Sequence, residues 1–226
     1  MMPRKIQNRE LVIVIIEQHR LICAALRPGT HKPYTLAHSA TVAIPSLAQT
    51  GSLINTTIIG TQIAAFIRKY SLQHSFISVI CADPIIQEGF ATTVTASAHT
   101  YLQHNLALPH TQLHTLYLGP HQERFLHWWH RISYPLILQL HLIAYRHKLN
   151  IVRVISPLPV LLELYKKIRG ATFHPVQLII DLENNNFDLR NFFDTSLLKN
   201  FLYYDAAMID ATALPILIGT ALYEEL

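Results

Sequence analysis

The sequence predicts an α/β fold, a sheet with helices layered on it, and three observations carry that expectation. Residues 12–26, VIVIIEQHRLICAAL, are two apolar runs on either side of the polar Glu17, Gln18, His19 and Arg20, the pattern of a tight β-hairpin. Strand-type runs then alternate with helix-type segments along the chain, as a layered sheet requires. Half of the 226 residues are hydrophobic and only 14% are charged, so the chain folds and buries a sizeable core, as one large domain or two small ones.

Taken in order, the hairpin is followed by a loop at RPGTHKP and an extended run, YTLAHSATVAIP, that ends on Pro45. QTGSLIN reads as a turn, after which Asn55 or Thr56 caps a helix whose Ile59, Ile63, Phe66 and Ile67 share a face and whose Arg68 and Lys69 suit the negative end of its dipole. FISVICAD is a buried strand stopped by Asp83 and Pro84. A helix is expected over TTVTASAHTYLQHNLAL, then two alternating strands, QLHTLYLGP and RFLHWWHRI. Ser133 and Pro135 start a helix with a basic end at Arg146, His147 and Lys148. NIVRVIS is a strand, and PLPVLLELYKKIR a helix closed by Gly170.

Composition narrows the function classes. The formal charge of +4 is mild and its cations are scattered, so nucleic acid is not the expected partner. Cys23 and Cys81 lie inside apolar runs and read as buried thiols rather than a disulfide. No secretion signal opens the chain, and Gln139, His141, Asp210 and Pro215 interrupt the longest apolar segments short of the roughly 20 residues that span a bilayer. A soluble cytoplasmic chain is the simplest expectation.

Residues 176–193, VQLIIDLENNNFDLRNFF, repeat the order of apolar run, polar turn and apolar run, with Asp181 at the end of the first. Two hairpins, each opening a fold unit, are the layout of the duplicated actin and sugar-kinase architecture. Two unrelated hairpins would give the same pattern.

With the VIVII and LICAAL hairpin, GSLIN before a helix ending AAFIRKY, the strand ISVICADP, the run LILQLHLIAYRHKLNIVRVISP, QLIIDLENNNFDL and the closing ALPILIGTALYEEL with Gly219, Ala221 and Leu222, the chain resembles the PilM family. These are actin-like proteins of type IV pilus and competence assembly, relatives of the division protein FtsA. The resemblance implies an actin-like, ribonuclease H-like first lobe (residues 1–89 and 156–175), an inserted strand-helix-strand subdomain (residues 90–155), and a much shortened second lobe (residues 176–226).

The departures from that family bear on ligands. Nucleotide-binding members end the first strand in Asp and Gly, because a side chain there keeps backbone amides from a phosphate. Here the turn is Glu17, Gln18, His19, Arg20, and a carboxylate at Glu17 repels the phosphate. Leu182, Glu183 and three asparagines fill the second turn, and fewer residues follow than the roughly 100 a complete second lobe needs. A reduced, divergent member without nucleotide or other cofactor is expected.

Other chemistry is poorly supported by spacing. Fourteen histidines invite a metal, with His110 and His114 four apart and His121, His127 and His130 nearby. Pro109 and Gly119 keep the first pair off one helix, and His127 and His130 fall on opposite faces of a strand, so no metal site is expected. There is no Gly-x-Ser-x-Gly, and Asp181 reads either as a lone acid or, with better reason, as a strand-end residue bonding its own turn.

The resulting expectation is a non-enzymatic scaffold of a type IV pilus, type II secretion or DNA-uptake machine at the inner face of the inner membrane. The resemblance implies that it binds the cytoplasmic N-terminal tail of a PilN-like inner-membrane protein, in the groove between insert and main sheet, and meets the membrane only through that partner. The alternative is a small degenerate actin-like or sugar-kinase-like ATP-binding enzyme. Alternation in RFLHWWHRI puts Leu126, Trp128, His130 and Ile132 on a core face. Phe125, Trp129 and Arg131 fall on the other, a candidate partner-binding surface joined by Arg153 if NIVRVIS pairs beside it. Trp129 packing under the helix of residues 135–149 is the competing reading.

Overall fold

The computed structural model describes residues 10–45, 56–82, 85–95, 102, 105–106, 109–121, 123–184 and 192–224. Strands β1 (Leu11–Ile16), β2 (Arg20–Pro28) and β3 (Tyr34–Ala43) form an antiparallel meander. β4 (Phe76–Cys81) lies parallel to β1, and β8 (Asn150–Ile155) lies parallel to β4. β9 (Leu202–Tyr203) adds a short parallel rung to β3, so the main sheet runs β8-β4-β1-β2-β3-β9. A second sheet holds β5 (Gln87–Thr93), β7 (Arg124–Ser133) and β6 (Thr111–His121), all antiparallel, with β7 central.

Helices cover both faces of the main sheet, which is why β1 is apolar without alternation. Ile13 and Ile15 point into one core, and Val12, Val14 and Ile16 into the other. The second core is closed by α1 (Thr56–Lys69) and α2 (Tyr134–His147) through Ile59, Ile63, Leu136, Leu140 and Ile143. Each such side chain, fully buried, contributes about 1.5–3 kcal/mol. The first core is closed by α3 (Pro157–Arg169), α4 (Pro175–Asn184) and α6 (Leu214–Glu224). A single turn, α5 (Thr195–Leu198), precedes β9, capped by Asp194 accepting from the Ser196 amide at 2.8 Å.

The local signals in the sequence account for most boundaries. Ser133 caps α2 by accepting from the Leu136 amide at 3.3 Å, and Lys148 ends it in the left-handed region at φ 54°. Gly170 ends α3. The expected turn before α1 with its Asn55 cap, the strand stop at Asp83 and Pro84, and most of the expected helix at 92–108 lie outside the described residues. Thr92 and Thr93 belong to β5 rather than to a helix.

Three expectations are corrected. Residues 175–184 form α4, not the first strand of a second hairpin: Pro175 opens a helix on which Val176, Ile179 and Leu182 recur at helical spacing and are buried. The insert is a three-stranded sheet that runs along the chain from Gln87 to Ser133, not strand-helix-strand over 90–155. α2 packs on α1, and β8 pairs with β4 rather than with β7, so both belong to the main layers. Finally, the described part of 176–226 packs onto the first lobe: α6 lies against α3, and β9 extends the main sheet.

Candidate functional site

Where the small sheet meets the main sheet there is a cleft of about 540 Å³, within the range of ligand-binding pockets. Its walls are β6 from His114 to Leu118, Trp128 and His130 of β7, Arg153 to Ile155 of β8, and the α3 face from Pro159 to Lys166, with Phe173, Pro175 and Tyr223 completing the lining. β6 and β8 are both edge strands of their sheets. A strand edge offers backbone groups to an incoming extended chain.

Cross-strand pairing fixes which side chains face the cleft. His114 pairs with His130 and Leu116 with Trp128, so these four share one face. Trp128 is buried and donates its indole N–H to Glu88 Oε2 at 3.1 Å, which sets the ring's orientation. The His130 ring stands 4.6 Å edge-on from Trp128 and 4.8 Å from His114, and its Nδ1 lies 3.2 Å from Ser156 Oγ. Burial, with His114 beside it, pushes the His130 imidazole down to about 3, so it is neutral near pH 7. Burial also lowers His114. Leu116 remains 42% exposed at the mouth.

Arg153 is the cation of the opposite wall. Its guanidinium lies 4.6 Å over the Tyr223 ring, with Nε 3.5 Å from Glu224 Oε1. Glu224 also accepts from Ser78 Oγ at 2.7 Å, tying the end of α6 to β4. Lys166 stands 3.8 Å from Glu163 on α3. The site is therefore a largely apolar trough bordered by two cations, both loosely paired.

The structure separates the four residues singled out from sequence. Arg153 lines the cleft, whereas Phe125, Trp129 and Arg131 lie on the opposite face of the small sheet. There the Arg131 guanidinium sits 5.0 Å over the Trp129 ring and donates to the Leu106 carbonyl at 3.1 Å and to Gln87 at 2.5 Å. Gly89, opposite Trp129, leaves room for the indole, since a Cβ there would come within 3.0 Å of it. Phe125 is 6.0 Å from Tyr117. His127 is buried on that face, 2.9 Å from Thr93 Oγ1. Of the cleft residues, the sequence places Trp128 and His130 on a core face, offers His114 only as a rejected metal candidate, and does not single out Leu116. Only the alternation of β6 against β7 could have marked them, and only with the cross-strand register in hand.

The turn between β1 and β2 is occupied by its own side chains. The Glu17 amide donates to the Arg20 carbonyl at 3.0 Å. Arg20 pairs with Glu17 and reaches Asp210 at 2.8 Å and Thr212 at 3.2 Å, closing this pole against the segment before α6. The Thr212 backbone amide and Arg20 hold the Asp210 carboxyl down at about 2. Asp181, on α4, accepts from Tyr165 at 3.0 Å and Gln177 at 2.6 Å, so it brackets α3 to α4 instead of ending a strand. Among the described residues no group of three or more His, Cys, Asp or Glu is placed to hold a metal ion.

No protein-family model matches this sequence, and no curated protein matches it. Solved structures do. The PilM–PilN type IV pilus biogenesis complex is similar at 14% identity and TM-score 0.50, over 71% of this chain and 52% of that one. The cytoplasmic domain of EpsL, an inner-membrane component of the type II secretion system of Vibrio cholerae, is similar at 9% identity and TM-score 0.44, over 67% and 57%. A Bacteroides thetaiotaomicron protein with an actin-like ATPase fold and unknown function is similar at 9% identity and TM-score 0.40, over 76% and 61%. This chain thus spans about half to three-fifths of the length of these structures. At such identity the likeness speaks for fold alone: the chain is α/β with an actin-like first lobe. No helix among the described residues is long and apolar enough to cross a membrane.

Proposed function

We propose that this chain is a divergent PilM-like scaffold without enzymatic activity, serving a type IV pilus, type II secretion or DNA-uptake machine. Its cleft takes the extended cytoplasmic tail of a PilN-like inner-membrane protein. The observation that carries the reading is the pair of edge strands, β6 and β8, facing one apolar trough. A tail entering there pairs its backbone with a strand edge, sets alternate side chains against Leu116 and Trp128, and finds Arg153 for a carboxylate or carbonyl. The fold shared with PilM supports the same choice. The self-occupied turn at Glu17 and Arg20 supports the absence of nucleotide, because its amide and its cation are already engaged.

Calorimetry tests both halves. A PilN-like tail peptide is expected to bind saturably to the parent chain and about tenfold or more weakly to Arg153→Glu, a loss on the scale of one charged contact. ATP with Mg²⁺ is expected to give no saturable heat. Micromolar ATP binding would replace the scaffold with the degenerate ATP-binding enzyme.

A further inference from the structure

α2 carries two apolar faces. Leu136, Leu140 and Ile143 are buried against the main sheet and α1. On the other side Tyr134, Leu138, Leu142 and Tyr145 recur at i, i+4, i+8 and i+11, and they are 52%, 61%, 44% and 85% exposed. Scattered exposed leucines need no explanation, but four large apolar side chains in one helical stripe do.

The charge around the stripe is one-sided. Neither residues 56–82, which contain α1 and β4, nor residues 124–162, which contain α2 and β8, include a single Asp or Glu. The same layer carries Arg68 and Lys69 at the end of α1 and Arg146 and Lys148 at the end of α2, all exposed. Its chemical complement is an apolar layer faced by negative charge. The stripe is a raised helix face with leucines in the middle and a tyrosine near each end, which is how an interfacial helix lies on a bilayer.

We propose that the outer face of α2 docks on an anionic phospholipid surface, the leucines entering the acyl boundary and the cations meeting the headgroups. This does not depend on the cleft's partner, and it brings the protein to the bilayer by a contact of its own. Co-sedimentation of the full chain with vesicles tests it. The chain is expected to pellet with phosphatidylcholine vesicles containing phosphatidylglycerol, to stay in solution with phosphatidylcholine alone, and to be released by salt. Leu138→Glu with Leu142→Glu, both at exposed positions, is expected to cut the bound fraction about tenfold or more while keeping the parent's thermal melt. Val94→Glu, at an exposed position just past β5, is expected to pellet like the parent. A parent chain that ignores anionic vesicles overturns the proposal, as does a folded double variant that pellets as well as the parent. Capture of an acidic peptide by the stripe without any vesicle binding overturns it in favour of a protein partner.

Discussion

His130 shows how a single residue records its surroundings. Its ordinary value of 6.5 is pushed down to about 3 on folding, chiefly by burial, so acid protonates the unfolded chain first. The contribution of His130 to stability is therefore complete only well above about 6.5 and is lost as pH falls from there through about 3, with His114 acting in the same direction. Urea midpoints measured between about pH 7 and pH 4 should fall on acidification, and His130→Phe should flatten that fall. An unchanged slope in the variant would assign the acid sensitivity to other groups. The two cysteines make the opposite point. Both are buried, and burial pushes their thiols up to about 12, so they are inert toward labels. Their burial was legible from apolar neighbours alone. The cleft role of Trp128 and His130 was not, because alternation says which residues share a face and nothing about what that face meets.

Among the elements, the helix over residues 175–184 was the least legible from sequence. VQLIID is a run of six in which strand and helix templates both fit, and only Pro175 and the burial of Val176, Ile179 and Leu182 decide between them. The first hairpin was legible because Glu17 to Arg20 interrupt two apolar runs, the first of them β-branched, that are each too short for a helix. The small-residue character of α6 was also visible, and the structure gives its reason. Gly219 lies so close to α3 that a Cβ would run into the Val160 carbonyl. Alanine is the better helix former by about 1 kcal/mol, yet Gly219→Ala should lower stability by about 1–3 kcal/mol, because the two helices must move apart. Chemical denaturation checks the sign. A stabilised variant would mean that the crossing has slack.

For the whole molecule, local patterns along the chain showed the opening hairpin and the α/β class, and the family resemblance implied the actin-like first lobe. They did not give the small sheet's true extent or the cleft, because which strand borders which depends on long-range pairing: β8 beside β4, β7 between β5 and β6. That pairing puts Leu116 and Tyr117, neighbours on an edge strand and 42% and 45% exposed, on opposite faces of the small sheet. Both residues border the cleft, but Leu116 faces it with Trp128, whereas the Tyr117 ring turns to the opposite face beside Phe125 and His127. Leu116→Cys and Tyr117→Cys are each labelled with a short photo-cross-linker, the native thiols being too buried to react, and illuminated with a PilN-like tail peptide. The cleft reading predicts strong capture from position 116 and little from 117. Equal capture from both, or capture from 117 alone, would contradict it.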